Sequence, residues 1–165
     1  ENENDVTALL CLAECYRKGF GCEKNLEKAF TLYKKLADSD HAYSQYCLAE
    51  CYDQGEGCEK NPEQAFYWYK KAAEQGNIDA EFMLAYCYFK GTGCETDSKE
   101  AFLWFKKAAE QGNPRAQHNI GVAYDQGLGI EQNSKEAFKW FKKSAEQGYS
   151  EAQCKLAICY LNGEG

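Results

Sequence analysis

Tyr88-Phe89-Lys90-Gly91-Thr92-Gly93 decides the fold, because its tyrosine–glycine spacing returns four more times at intervals of 36 residues. The other copies are Tyr16-Arg17-Lys18-Gly19-Phe20-Gly21, Tyr52-Asp53-Gln54-Gly55-Glu56-Gly57, Tyr124-Asp125-Gln126-Gly127-Leu128-Gly129 and Tyr160-Leu161-Asn162-Gly163-Glu164-Gly165. Between them a second block keeps the same interval: Ala29-Phe30, Ala65-Phe66, Ala101-Phe102 and Ala137-Phe138. A fixed period of about 20 to 50 residues marks an architecture in which each unit buries its apolar face against its neighbours.

One period reads as two antiparallel helices. In the third copy, Asn77 is placed to cap a helix whose Ala80, Leu84, Ala85 and Tyr88 share one face. Gly91 and Gly93 end it, since glycine tolerates positive φ where the chain turns sharply. A second helix starts at Asp97, with Asn25, Asn61 and Asn133 as equivalent caps. Three positions on, Gln64, Glu100 and Glu136 complete the pattern of a reciprocal capping box, which Lys28 breaks in the first copy. Pro62 and Pro114 suit the first helical position, where no N–H is needed. The second helix should bury Ala101, Phe102, Phe105 and Ala109, and Gly112 closes the unit as Gly76 and Gly148 do elsewhere. Small residues at Ala13, Ala49, Ala85 and Gly121 leave room for close helix approach. The expectation is an all-α array of four complete antiparallel helix pairs and a fifth, unpaired helix.

Composition narrows the function. With 44% hydrophobic and 27% charged residues the chain can bury a substantial core in water. A net charge of −7 argues against a general nucleic-acid binder. No run approaches the roughly 18 apolar residues of a membrane span, so no direct membrane insertion is expected. The acidic start, Glu1 to Asp5, is unlike a secretory signal peptide. Ending at Gly163-Glu164-Gly165, where earlier copies run on into a second helix, the chain reads as a fragment of a longer protein. Localisation is unknown on these grounds, with the cytoplasm slightly favoured.

The pattern Ala116-Gln117-His118-Asn119-Ile120-Gly121, Tyr124, Gly127, Gly129, Ala137-Phe138, Trp140-Phe141 and Ser144-Ala145-Glu146-Gln147-Gly148 resembles the Sel1-like repeat family, relatives of tetratricopeptide repeats with a longer loop between the helices. The resemblance covers one array, 1–165, with repeats 6–41, 42–77, 78–113, 114–149 and a partial 150–165. It implies a right-handed α/α solenoid whose first helices line the concave wall, acting as an adaptor between proteins. The family shares no catalytic residues, so neither an enzyme nor a cofactor is expected. Its cysteine-rich Helicobacter branch bridges the end of the second helix to the start of the next first helix. Here those helix-end positions are Ala37, Ala73, Ala109 and Ala145, so that layout is not carried over.

The ten cysteines leave three readings open. Cys15, Cys51, Cys87 and Cys159 share one repeat position, and Cys22, Cys58 and Cys94 share another seven residues on. The fourth repeat replaces both members, with Ala123 and Ile130, which suggests that the two positions touch. Core packing as small hydrophobes is the preferred reading, because the family places aliphatic residues there. Within-repeat disulfides, Cys15 with Cys22, Cys51 with Cys58 and Cys87 with Cys94, are the second. Zinc on Cys11-Cys15-Cys22 or Cys47-Cys51-Cys58 is the third and least favoured, since structural zinc wants four ligands, and no metal site is assigned.

Trp68, Trp104 and Trp140 recur with the period and read as helix packing; Lys35, Lys71, Lys107 and Lys143 read as a solvated ladder. His118 and Cys154 fall at one repeat position on adjacent first helices, but without a third orienting group they do not make a nucleophilic pair. More telling is where the repeats disagree. The outward residues of the first helices run Glu14 and Arg17, Glu50 and Asp53, Tyr86 and Phe89, Val122 and Asp125, Ile158 and Leu161. Charge gives way to apolar side chains from the third repeat, and Tyr86, Phe89 and Val122 form the expected partner-binding patch. Ile158 and Leu161 raise self-association through the unpaired C-terminal helix. The function expected is a non-enzymatic scaffold binding a protein or peptide partner on the concave face. The alternative is a secreted, disulfide-stabilised repeat protein that recognises an extracellular or cell-wall ligand.

Overall fold

A computed structural model describes residues 3–163, with side chains from Asp5 onward; Glu1 and Gly165, the last signature glycine, lie outside the described residues. Among these residues there are nine helices and no strand: α1 (Glu3–Lys18), α2 (Leu26–Asp38), α3 (Ala42–Gln54), α4 (Pro62–Glu74), α5 (Ile78–Lys90), α6 (Ser98–Glu110), α7 (Pro114–Gln126), α8 (Ser134–Glu146) and α9 (Ser150–Leu161). Odd-numbered helices are the first helices of their repeats and even-numbered ones the second, as the period requires. Contacts divide the chain into two compact units, up to Ala80 and from Glu81 onward.

The caps sit where the sequence places them. Asn25, Asn61 and Asn133 accept from the backbone N–H of Lys28, Gln64 and Glu136, and Asp97 accepts from both Lys99 and Glu100. Asn77 and Asn113 cap α5 and α7 in the same way, and Pro62 and Pro114 open α4 and α7. The capping-box reading needs one correction. Each cap residue's own N–H donates to the carbonyl of the signature tyrosine nine residues earlier: Asn25 to Tyr16, Asn61 to Tyr52, Asp97 to Tyr88 and Asn133 to Tyr124, at 2.8–2.9 Å. The long loop is thereby tied back to the helix it leaves, and the Glu or Gln three positions on is released from capping.

The two signature glycines do different jobs. Gly55 adopts φ 75° and donates to Cys51 O, closing α3 with a left-handed residue. Gly57 and Gly129 instead permit close approach: a Cβ on Gly57 would lie 2.1 Å from Leu26 O, and one on Gly129 2.0 Å from Ser98 O. The signature loop of one repeat thus packs against the start of the preceding repeat's second helix. Tyrosine rings add to the same junction. Phe30 meets Tyr52, Phe102 meets Tyr124 and Phe138 meets Tyr160 edge to face, each with centroids 5.4 Å apart. Such a pair contributes about 0.5–1.5 kcal/mol beyond its buried area.

In the first unit the core is built on Tyr33, Leu36, Leu48, Cys47, Cys51 and Tyr69; in the second on Leu84, Phe102, Phe105, Ile120 and Phe141. Gly121 is buried because a Cβ there would stand 2.5 Å from the Phe141 ring. Glutamines at one repeat position add a side-chain bond to helix-end carbonyls that also accept a backbone N–H. Gln45 donates to Ala37 O, Gln117 to Ala109 O and Gln153 to Ala145 O. Gln75 and Gln147 complete Gln45 and Gln117 at 2.8 Å. In α5 the same position holds Glu81, fully buried, which accepts from Gln111 at 2.6 Å. Lys107 Nζ stands 2.9 Å from its other oxygen, an ion pair by distance without hydrogen-bond alignment.

Candidate partner-binding hollow

The first helices of the two units present opposite chemistry at equivalent positions. In the first unit Arg17 reaches Glu14 at 3.6 Å, Glu50 at 3.2 Å and Glu56 at 3.9 Å. Tyr33 O–H donates to Glu14 at 2.5 Å and Tyr46 O–H to Glu50 at 2.8 Å. Burial pushes the Glu14 carboxyl up, but bonds from Lys18 and Tyr33 and the Arg17 charge outweigh it and hold the group below its ordinary value. Burial, then the bond to Glu14, raise the Tyr33 phenol well above its usual range, so it stays a neutral donor. Every charge on this wall has a partner, which leaves little for a ligand to gain.

On α5 and α7 of the second unit those carboxylates are gone. Tyr86 and Phe89 are each 41% exposed and Val122 is half-buried, and all three line one hollow of about 70 Å³. Its floor comes from α6, through Ala101, Phe102 and Phe105, and its far side from Asn119, Ala123 and Leu128. Phe105 occupies the repeat position of Tyr33, so the hydroxyl disappears together with the carboxylate that would have received it. Exposed large rings beside a partly open apolar hollow are a surface feature on which partner proteins dock.

The patch expected from the sequence is therefore assembled in space, while its surroundings were missed. Lys90 lies over both Phe89 and Tyr86, with Nζ 5.0 and 5.9 Å from the ring centroids. Arg115 lies over Phe82 at 4.1 Å. The sequence places Phe105 in the core and shows its role as floor only through the Tyr33, Tyr69, Phe105, Phe141 series, in which the hydroxyl is lost where the charges are lost. On α9, Ile158 is 50% and Leu161 87% exposed.

The tryptophan and lysine ladders are one feature. Lys71 lies over Trp68, Lys107 over Trp104 and Lys143 over Trp140, at 5.5, 4.8 and 4.3 Å. Only Trp68 is buried; Trp104 and Trp140 are half-buried under their lysines. His118 and Cys154 are not joined by a hydrogen bond among the described residues. His118 packs against Phe141 and Tyr149, its Nδ1 is buried without a partner, and burial lowers its pKa, while Cys154 is exposed.

Of the cysteine pairs, Cys51 and Cys58 come together as thiols, with Cys58 Sγ donating to Cys51 O at 3.5 Å. Burial pushes the Cys47 and Cys51 thiols up to about 12 and raises Cys58 and Cys94. Thiols of that kind are poor nucleophiles and poor metal ligands at neutral pH. Cys87 is buried and Cys15, Cys22 and Cys94 are half-buried. Among the described residues no group of three His, Cys, Asp or Glu could hold a metal ion, and no helix is long and apolar enough to cross a membrane.

Helix pairs at a 36-residue period, carrying side-chain variation on one repeated face, define an all-α repeat protein of the solenoid class. The chain belongs to the Sel1 repeat family: the Sel1 repeat model matches residues 7–41, 42–77, 78–113, 114–149 and 150–165. A Sel1 repeat protein from Oxalobacter formigenes is 39% identical, with a TM-score of 0.89 over 96% of this chain and 65% of that one. The c5321 protective antigen of uropathogenic Escherichia coli, which displays an SLR fold, is 32% identical, with a TM-score of 0.94 over 98% of this chain and 34% of that one. The chain thus spans part of the length of both relatives. The Helicobacter pylori cysteine-rich protein B shares the fold at 23% identity and a TM-score of 0.63, over 81% of this chain and 96% of that one. No curated protein matches the chain. Sel1 repeat proteins generally mediate protein–protein interactions and their scaffold is typically non-enzymatic.

Proposed function

We propose that this chain is an interaction scaffold that binds a protein or peptide partner on the first-helix face of its second unit, in the hollow between α5 and α7. The observation that carries this reading is the convergence of Tyr86, Phe89 and Val122, chosen for breaking the repeat pattern, around one solvent-accessible apolar hollow. Aromatic side chains at the centre of such a patch are the residues whose truncation costs most in binding. The first unit pairs the charges of its own first-helix face and offers no contact of comparable worth.

The test compares the chain with a Tyr86→Ala, Phe89→Ala variant of matched helicity in affinity capture from native lysate, followed by titration of the purified partner. Loss of at least ~2 kcal/mol, about thirtyfold in Kd, is expected of a central aromatic pair. Equal affinity for both chains places the site elsewhere on the molecule.

A further inference from the structure

We propose that Asn119 reads the main chain of the partner: an extended peptide segment lays one branched aliphatic side chain into the hollow, and the Asn119 amide binds that residue's own N–H and C=O. The inference rests on the docking reading above and adds the conformation and chemistry of the partner.

The lining of the hollow inverts the polarity of its counterpart in the first unit. Two repeats back, Tyr86, Phe89, Phe105, Val122 and Leu128 become Glu14, Arg17, Tyr33, Glu50 and Glu56. Those side chains bond one another, with Arg17 against all three glutamates and Tyr33 donating to Glu14. Asn119 runs the other way. Its counterparts are Cys47, which is fully buried, and Met83 in the repeat between. The Asn119 side chain lines the hollow from α7 and makes no hydrogen bond to the described residues, and the Tyr86 hydroxyl on α5 makes none either. Covering that amide with apolar groups alone would strand its donors and its acceptor, so the occupant must bring a matching donor and acceptor.

Size limits what enters. A hollow of about 70 Å³ is roughly half the ~150 Å³ of a cavity that holds benzene, and far below the ~300–1,000 Å³ of small-molecule sites. One isopropyl or isobutyl group fits, and a whole drug-sized ligand does not. A single side chain on a segment that runs on across the exposed Tyr86 and Phe89 rings meets that limit.

Bond geometry selects the conformation. A carboxamide presents its acceptor and its donor side by side in one plane. An extended residue turns its N–H and C=O toward the same side, as in the antiparallel pairs that exchange both bonds, and its side chain points out of that plane. An α-helical residue instead spends the two groups along the helix axis, on partners four residues away. An extended segment therefore meets Asn119 with its main chain and the hollow with its side chain at once, which a helix cannot do.

A phage-displayed library of random dodecapeptides, panned on the immobilised 165-residue chain, supplies the probe. The chain should enrich Leu, Ile or Val at one fixed position. The strongest peptide is then resynthesised with esters replacing its main-chain amides one at a time, each removing a single N–H donor. The ester at the aliphatic residue should weaken binding about fivefold or more, the largest loss in the series, as expected for one hydrogen bond. Asn119→Met, the residue of the preceding repeat, should bind the parent peptide more weakly and no longer distinguish it from that ester. The ester series leaves the protein untouched and decides the matter even if the Met variant loses helicity. Esters without effect at the aliphatic residue, a loss that Asn119→Met retains in full, or selected peptides with apolar residues at helical i, i+3, i+4 spacing overturn this inference and leave the docking reading standing. The same peptides bound equally by the Tyr86→Ala, Phe89→Ala variant, or no enrichment at all, overturn both.

Discussion

The first unit and the second are built from the same repeat, yet one fills its first-helix face with ion pairs and the other leaves a hollow there. The first carries nine Lys and Arg against fifteen Asp and Glu, the second ten against eleven, so nearly all of the net charge lies before Glu81. The switch needs only a few positions. Where Tyr33 stands behind Glu14, the hydroxyl and the carboxylate bind each other; where Phe105 stands behind Tyr86, neither group is present. The lesson is that the repeat holds its helices together through glycines, caps and Tyr–Phe contacts, so the face between can be rewritten in matched sets. Removing one member of a set is penalised, because it leaves a polar group without its partner.

The largest effect on this comparison should come from Arg17→Ala. It leaves Glu14 and Glu50 facing each other in a part-buried site, and a loss of about 2 kcal/mol is expected for bonds to charged groups. Urea unfolding would show it as a lower midpoint, with binding in the second unit unchanged. An unaltered midpoint would mean that the first unit's network is decoration rather than support.

Next in size is the attempt to write the first unit's chemistry into the second. Phe105→Tyr alone buries a hydroxyl with no acceptor and should cost about 1–3 kcal/mol. Adding Tyr86→Glu should recover about 1 kcal/mol or more by recreating the Glu14–Tyr33 pair, a coupling read from a double-mutant cycle. Additive losses would sink the idea that these positions form a set. The double variant should also lose the partner, since its carboxylate occupies the hollow's wall.

The smallest effect is a difference in acid sensitivity. Glu14 has a lowered pKa in the fold, so its stabilisation is present above the ordinary value of 4.5 and is lost as pH falls through the folded value. His118 also has a lowered pKa, but here the unfolded chain takes up the proton first, so stability begins to fall below pH 6.5. His118→Phe, which copies Phe82, should flatten the stability profile just below pH 6.5, and Glu14→Gln should flatten it only below 4.5. Identical profiles for the parent and His118→Phe would show that the imidazole is hydrated in the folded chain.

Sequence alone determined the period, the helix pairs, the caps and the place of every signature glycine, because these depend on φ preferences and on bonds within a few residues. It also marked Tyr86, Phe89 and Val122, since departures from a repeat are visible without coordinates. Tertiary structure decided the rest. The N–H of each second-helix cap found a tyrosine carbonyl nine residues away, so the capping box stayed half made. Lysine and tryptophan ladders that read as separate faces became stacked pairs, because residues three apart on a helix lie side by side. The hollow itself appears only when α5, α6 and α7 meet, with Phe105 as its floor and Lys90 stacked over the Tyr86 and Phe89 rings of its wall. Local rules place side chains on a helix, but a hollow is a property of several helices together, and no single stretch of chain specifies it.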